Sequence, residues 1–324
     1  MTAHSSSDAL GADQPRVVVL CAHPGRRDAV GVAVQVARLL GERGLVVAVP
    51  PDQVEALRAQ ADSPMEELGE QHRPELVVVL GGDGTILRGA AVAKEYDVPL
   101  LGVNLGHVGF LAEAEREDVE LTVEHIVERS YSVEHRMALD VAVYVEGERT
   151  ATGWALNEAT VEKGSRERMV ELALEVDGRP LATWGCDGII MATPTGSTAY
   201  AFSAGGPVVW PNVEAILTVP ISAHALFSRP LVLGPTTELA VEVVTESPGI
   251  GVLWCDGRAV SDLPPGARVE VSRSAHPVRL ARPASSPFTD RLVRKFGLSV
   301  EGWRGTARSR ARGLDVGTEE GTHR

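Results

Sequence analysis

Pro74-Glu75-Leu76-Val77-Val78-Val79-Leu80-Gly81-Gly82-Asp83-Gly84-Thr85 is the stretch on which the reading of this chain turns. Leu76 to Leu80 is apolar and β-branched, the composition of a parallel strand buried on both faces. Three glycines and one carboxylate follow, then a helix-like run from Ile86 to Ala93. Asp83 is therefore expected at the carboxyl end of a central strand, where open α/β sheets bind ligands. The flanking glycines leave the backbone open to a sugar and its phosphates, and amides opening the next helix can face an anion. Gly81, Gly82 and Thr85 are candidates for holding donor phosphates. The alternative is a plain strand-to-helix turn with Asp83 or Thr85 as N-cap. One glycine would make that turn; three around one acid favour a ligand.

Outward from this stretch the pattern alternates. Arg16 to Ala22 reads as a buried strand, His23 to Arg27 as a turn, and Asp28 as a cap for a helix with Ala29, Ala33, Val36, Ala37 and Leu40 on one face. Leu45–Val49 is a second strand, followed by helical or loop material through His72. Pro99–Asn104 is a further strand, leading into the glycine-rich Leu105–Leu111, and a polar helix spans about 117–128. Strands alternating with helices imply a parallel sheet covered by helices. Near Met137 the period changes to two: Leu139, Val141, Val143 and Val145, then Val170, Leu172, Leu174 and Val176, then Leu239, Val241 and Val243, then Val269 and Val271. Asp177-Gly178 and Asp256-Gly257 are hairpin signals. The expected fold is an α/β domain with a parallel sheet over 15–137, then an all-β, sandwich-like domain over 138–287. A last helix from Thr289 to Phe296, ending at Gly297, falls in a segment (288–303) expected to return to the first domain; 1–14 and 304–324 read as disordered tails.

The chain has 324 residues, with 31 Lys and Arg against 44 Asp and Glu and a formal charge of −13. No basic block offers a nucleic-acid surface. Binding an anionic phosphate ligand then needs local help from amides, a few arginines or a metal. Met1–Gln14 lacks the basic start and apolar core of a signal peptide, and no apolar run approaches a membrane span. Cys21, Cys186 and Cys255 lie far apart; Cys21 and Cys255 fall in apolar runs and read as buried thiols. A cytoplasmic location is expected. No His/Cys/Asp cluster has metal-ligand spacing, so any metal is expected to arrive with a phosphate donor.

Two further constellations carry chemistry. Asn157 and Glu158 interrupt the apolar run Trp154–Val161, and a carboxamide beside a carboxylate suits a purine edge and sugar hydroxyls; a polar strand end is the plainer explanation. Arg166 and Arg168 nearby could offset phosphate charge. Asp187 precedes the strand-like Gly188–Ala192, which runs into Thr193-Pro194-Thr195-Gly196-Ser197-Thr198-Ala199-Tyr200, a turn rich in hydroxyls and amides with an aromatic at its end.

Gly81–Thr85, Asn157-Glu158 and Thr193–Tyr200, in this order and spacing, resemble the NAD kinase family over roughly Arg16 to Phe296. The Gly-Gly-Asp-Gly element alone is shared with phosphofructokinases and diacylglycerol-type lipid kinases; the Thr-Pro-Thr-Gly-Ser-Thr-Ala-Tyr block with Asn-Glu is far more specific. The resemblance implies a homodimer or homotetramer that binds NAD between two domains and moves a phosphoryl group to the 2′-hydroxyl of its adenosine ribose. ATP is the implied donor, with polyphosphate an option, and Mg²⁺ or Mn²⁺ the implied metal. It makes Asp83 the residue that orients or deprotonates the hydroxyl, with Gly84 against the same ribose. It gives Asn157 and Glu158 the adenine and sugars, and Asp187 and Ala199 the nicotinamide carboxamide. Thr198, Tyr200, Ala201, Phe202 and Ser203 form the pocket rim, and Arg88 and Arg168 match more variable positions. Arg258 stands where enterobacterial-type members have Gln. Rivals are a lipid or sugar kinase on the same loop and a non-catalytic NAD or NADP sensor; Gly102–His107 lacks the Gly-Thr-Gly-Asn-Asp element of the lipid kinases.

Overall fold

The computed structural model describes residues 15–23, 25–58, 65–106, 109–112, 118–166, 168–283 and 287–300, and the backbone of 114 and 115. Expectations for 1–14 and 304–324, and for His107 and Val108, lie outside these residues. In the first half, strands β1 (Val17–Ala22), β2 (Val46–Val49), β3 (Met65–Glu67), β4 (Pro74–Leu80), β5 (Leu100–Asn104), β6 (Ala114–Glu115) and β7 (Ser132–Arg136) alternate with helices. These are α1 (Arg27–Glu42), α2 (Pro51–Arg58), α3 (Asp83–Glu95) and α4 (Val119–Glu128). Every residue of β1 and β5 is buried, because helices cover both faces of the sheet. The α1 stripe Ala29, Val30, Ala33, Val36, Ala37 and Leu40 packs into the same core as Val18, Leu20, Val78 and Leu80. Asp28 does not cap α1: it lies in the first turn, paired with Arg26 at 2.8 Å, and the capping residue Arg26 makes no side-chain cap bond. The strand β3, three residues long, was hidden in the polar stretch before His72 because it is too short to show a period.

The second half supplies β8 (Leu139–Val145), β9 (Glu148–Ala155), β10 (Glu158–Lys163), β11 (Val170–Val176), β12 (Arg179–Cys186), β13 (Gly188–Ala192) and β14 (Ile216–Ile221). It continues with β15 (Leu231–Leu233), β16 (Leu239–Val243), β17 (Gly251–Cys255), β18 (Arg258–Leu263), β19 (Arg268–Arg273) and β20 (Val278–Arg282). Two antiparallel sheets form, in the orders β12-β11-β16-β19-β8-β9 and β15-β14-β13-β10-β17-β18. Their inward residues, among them Leu139, Val141, Val161, Leu172, Trp184, Ile189, Val241, Leu253 and Val269, fill one core, which is the arrangement of a sandwich. The hairpin turns Asp177-Gly178 and Asp256-Gly257 have positive φ at both positions, 50° and 71°, then 49° and 73°, as type I′ turns require. A third such turn, Glu146-Gly147, joins β8 to β9.

Two features position the site. Strand β13 is buried on both faces, because Ala201 and Val209, from the segment after it, cover Ile190, Ala192, Leu217 and Val219. The segment after β13 is a 3₁₀ turn (Gly196–Thr198) and a short helix α5 (Tyr200–Ser203). The first sheet, in turn, is not finished by the first half: its order is β3-β2-β1-β4-β5-β20-β7, with β6 beside β5. The span 138–287 therefore does not stay all-β with the sandwich: its last strand pairs parallel to β5 and antiparallel to β7. Its five residues, Val-Arg-Leu-Ala-Arg, are too few to set it apart from a sandwich strand, so sequence period gave no sign of the return. A final helix, α6 (Phe288–Phe296), stops at Gly297, whose φ of 59° is a left-handed helix end.

Candidate active site

Asp83 is the first residue of α3, after Gly82. Its carboxylate does not cap the helix. It accepts the backbone N–H groups of Phe110 and Leu111, at 3.3 and 3.2 Å, from the glycine-rich segment after β5. The loop is built for this contact. A Cβ on Gly109 would stand 2.4 Å from Asp83 Oδ1, and one on Gly81, whose φ is 154°, would stand 2.8 Å from Thr85 Oγ1. Thr85 is buried beneath Gly81, whereas Gly84 and Arg88, one turn apart on α3, are exposed. The open face of the loop is therefore Gly82, Gly84 and the outer side of Asp83. Gly89 lets α3 lie close on β4, its Cβ position being only 2.2 Å from Val79 Cγ2. At the far end of the helix Lys94 sits 4.9 Å over the Trp154 ring and 3.8 Å from Asp140, tying α3 to the second half.

The Asn-Glu pair and the Thr-rich turn come together. Asn157 and Glu158 are 7% and 9% exposed, at the junction of β9 and β10. The Thr193 hydroxyl donates to the Leu156 carbonyl at 2.6 Å, and the Thr193 N–H to the Asn157 carbonyl at 2.9 Å. Gly196 lies directly on the Asn157 backbone; a Cβ there would fall 2.1 Å from its carbonyl oxygen. Fully buried Ser197 donates to the Pro194 carbonyl and accepts the Val209 N–H, so three of the turn's hydroxyls, on Thr193, Ser197 and Thr198, serve its own shape. Leu156, next to the pair, shares a core with Val79, Ile86 and Leu111, the residues that seat Asp83's strand, helix and clamp.

A cavity of about 400 Å³ is lined by Glu158, Thr160, Glu162, Tyr200, Trp254 and Gly257. The exposed Tyr200 ring lines it from α5, where Phe202 and Ser203 are also exposed and Ala201 is buried. Glu158 Oε2 has no hydrogen-bond partner among the described residues. Burial first, and the neighbouring Asp256 second, push the Glu158 carboxyl up to about 8. An unpaired buried carboxyl oxygen costs about 1–3 kcal/mol, which makes Glu158 a candidate for holding a polar ligand group. A larger cavity of about 480 Å³ lies on the outer face of the other sheet, among Asp140, Arg149, Glu238, Arg268 and Glu270, and contains none of the motif residues.

Other expected residues lie apart. Asp187 is at the opposite end of β13 from Thr193, about 20 Å of extended chain away, and bonds Lys163 at 2.6 Å. That bond, despite some burial, holds its carboxyl below the ordinary range. Arg168 is exposed and donates to the Pro248 carbonyl at 3.2 Å. Arg258 is exposed beside Asp256. Sequence reading missed the Phe110 and Leu111 amides and the Asp256 carboxylate. Backbone amides carry no side-chain signal, and Asp256 sits in what reads as an ordinary Asp-Gly turn.

Known proteins resemble this chain in both sequence and fold. Residues 18–131 match the model of the ATP-NAD kinase N-terminal domain, and 156–283 that of the ATP-NAD kinase C-terminal domain. The chain is 56% identical over 308 residues to the NAD kinase of Thermobifida fusca, covering 92% of this chain and 94% of that one. It is 58% identical over 297 residues to NAD kinase 2 of Streptomyces avermitilis, covering 90% and 97%. Among solved structures, yeast NADH kinase complexed with NADH superposes with a TM-score of 0.80 at 25% identity over 90% of both chains. An Archaeoglobus fulgidus NAD kinase in complex with ATP gives 0.62 at 27% identity, over 88% of this chain and 98% of that one. With both domain models matched in order and relatives this similar over nearly their whole length, the chain belongs to the NAD kinase family.

Proposed function

We propose that this protein transfers a phosphoryl group from ATP to the 2′-hydroxyl of the adenosine ribose of NAD, giving NADP. The observation that carries the reading is Asp83, its carboxylate fixed by two amides yet reached from outside across Gly82 and Gly84. A carboxylate has about four acceptor positions, and the amides occupy two. The remaining lone pairs can orient a ribose hydroxyl and take its proton as the new P–O bond forms. Phosphoryl transfer has a loose transition state, so placing the hydroxyl in line and offsetting charge do most of the work. Asn157 and Glu158 take the adenine and sugar, with Tyr200 and Phe202 as aromatic walls, Thr198, Ala201 and Ser203 along the rim, and Ala199 toward the nicotinamide carboxamide. Asp187 is assigned to the far, nicotinamide end, which its distance from Thr193 suits. Gly81, Gly82 and Thr85 shape the donor side, and Arg88 and Arg168 face solvent where phosphates pass.

One carboxylate already engaged by two amides is no protein cage for a metal, and it fits a divalent ion such as Mg²⁺ or Mn²⁺ carried by the donor's phosphates. Such an ion would neutralise donor charge. We further read the protein as a cytoplasmic homodimer or homotetramer. Three free, buried cysteines fit a reducing compartment, and no described helix is long and apolar enough to cross a membrane.

The test is direct: purified protein with ATP, Mg²⁺ and NAD should form NADP. Asp83→Asn should cut turnover by roughly 100- to 10,000-fold while NAD still binds. No NADP from the wild type, with phosphorylation of a lipid instead, would refute the reading.

A further inference from the structure

Asn157 lies between β9 and β10 and Glu158 is the first residue of β10, paired with Ala192, so the sheet ladder alone does not fix the backbone leading into the pair. Asp256, 98 to 100 residues further along, does so. Its Oδ2 accepts the Leu156 N–H at 2.8 Å, and its Oδ1 accepts those of Asn157 and Glu158 at 2.8 and 3.2 Å. The Asp256 N–H returns a bond to the Glu158 carbonyl at 3.0 Å. Three consecutive amides converging on one carboxylate exceed what a hairpin turn needs. The Asp177-Gly178 turn has the same backbone, yet there the carboxylate holds a single exposed amide, that of Glu238, at 3.0 Å.

We propose that Asp256 is a positioning residue of the acceptor pocket, clamping the backbone that aims Asn157 and Glu158 and setting a second carboxylate beside Glu158. This rests on the NAD kinase reading, in which that pair holds the adenosine. Glu158 is faced by Asp256 from the hairpin, by Glu162 along its own strand, and by the Tyr200 N–H and phenol from α5; the Arg258 charge acts on Asp256. After burial itself, Asp256 contributes most to keeping the proton on Glu158. Both halves of the role follow from one side chain: the amide bonds set position, and the neighbouring charge sets which form of Glu158 meets the ligand.

The turn permits a clean test. Residue 256 has φ 49°, a conformation that Asn and Gly adopt readily and Ala does not. Asp256→Asn and Asp256→Gly therefore keep the hairpin, the first losing the charge and part of the clamp, the second all of it. Asp177→Asn is the control. Two readouts are needed: steady-state kinetics with NAD, and the midpoint at which Glu158 ionises, followed in the protein alone by infrared difference spectra of its protonated carboxyl and assigned with Glu158→Gln. Asp256→Asn should raise KM for NAD about tenfold, the effect of one lost charge-assisted hydrogen bond, with a smaller change in kcat. It should also move the Glu158 midpoint down from about 8. Asp256→Gly should raise KM at least as far, and Asp177→Asn should change neither. A folded Asp256→Asn protein with wild-type KM or an unmoved midpoint overturns the proposal. A wild type that makes no NADP sinks the kinase reading instead, and the midpoint shift then still upholds the clamp.

Discussion

Consider alanine in place of Gly109. Its Cβ would stand 2.4 Å from Asp83 Oδ1 and 3.1 Å from Cγ, whereas ordinary contact begins near 3.4 Å. Something must move by about 1 Å. The clash falls on the end of a side chain, the carboxylate whose placement matters for catalysis. Asp83 is the softer partner, and its retreat also lengthens the bonds from Phe110 and Leu111. A catalytic group misplaced by about 1 Å costs on the order of 100-fold in rate. We therefore expect Gly109→Ala to lower kcat about 100-fold and leave KM for NAD near wild type, in a protein that still folds cooperatively. Initial rates over a range of NAD concentrations at saturating ATP, with a thermal melt, measure all three. Wild-type kcat in a correctly folded Gly109→Ala protein would refute the idea that the two amides hold Asp83 in its working position.

Gly84→Ala tests the open side of the same loop. A Cβ there meets nothing within 4 Å, so the α3 substitution should raise stability by about 1 kcal/mol while raising KM for NAD; a rise in melting temperature with unchanged KM would remove Gly84 from the ribose. Glu158→Gln addresses the raised acid. From its ordinary 4.5 to about 8 the unfolded chain gives up this proton while the folded protein keeps it. The group thus costs folding stability as pH rises through that window, on the order of 5 kcal/mol at most, and nothing further above it. Glu158→Gln should flatten urea-unfolding stability between those pH values, and a variant as pH-dependent as the wild type would show that Glu158 is not the group concerned.

The organising stretch was legible because a doubly buried strand, three glycines and an acid leave few arrangements. The sandwich was legible in its period-two runs, and the Asp-Gly turns in their residue pairs. What stayed hidden was contact between distant backbone and side chain. Nothing in Asp256-Gly257 distinguishes a turn that clamps three amides from Asp177-Gly178, which holds one. Nothing in Gly109-Phe110-Leu111 says that its amides meet Asp83. The hydroxyls of the Thr-rich block were expected to face a ligand, and Thr193 and Ser197 turned inward because the Leu156 carbonyl and the Val209 amide needed partners there. The pair Asn157-Glu158 was visible only as an interruption of apolar sequence; that it straddles the start of β10, with Glu158 paired to Ala192 and Asn157 outside the ladder, emerges from the pairing of β9 and β10 with their neighbours.

The return of β20 to the first sheet bears on how the chain is made. Synthesis runs from the amino end, so β1 to β7 exist long before Val278–Arg282 leaves the ribosome. During that interval β5 and β7 lack the strand that joins them, and an open edge invites wrong pairing. The half of the molecule that emerges first is thus completed last, and a nascent chain stalled before residue 278 carries Asp83 on an unfinished support.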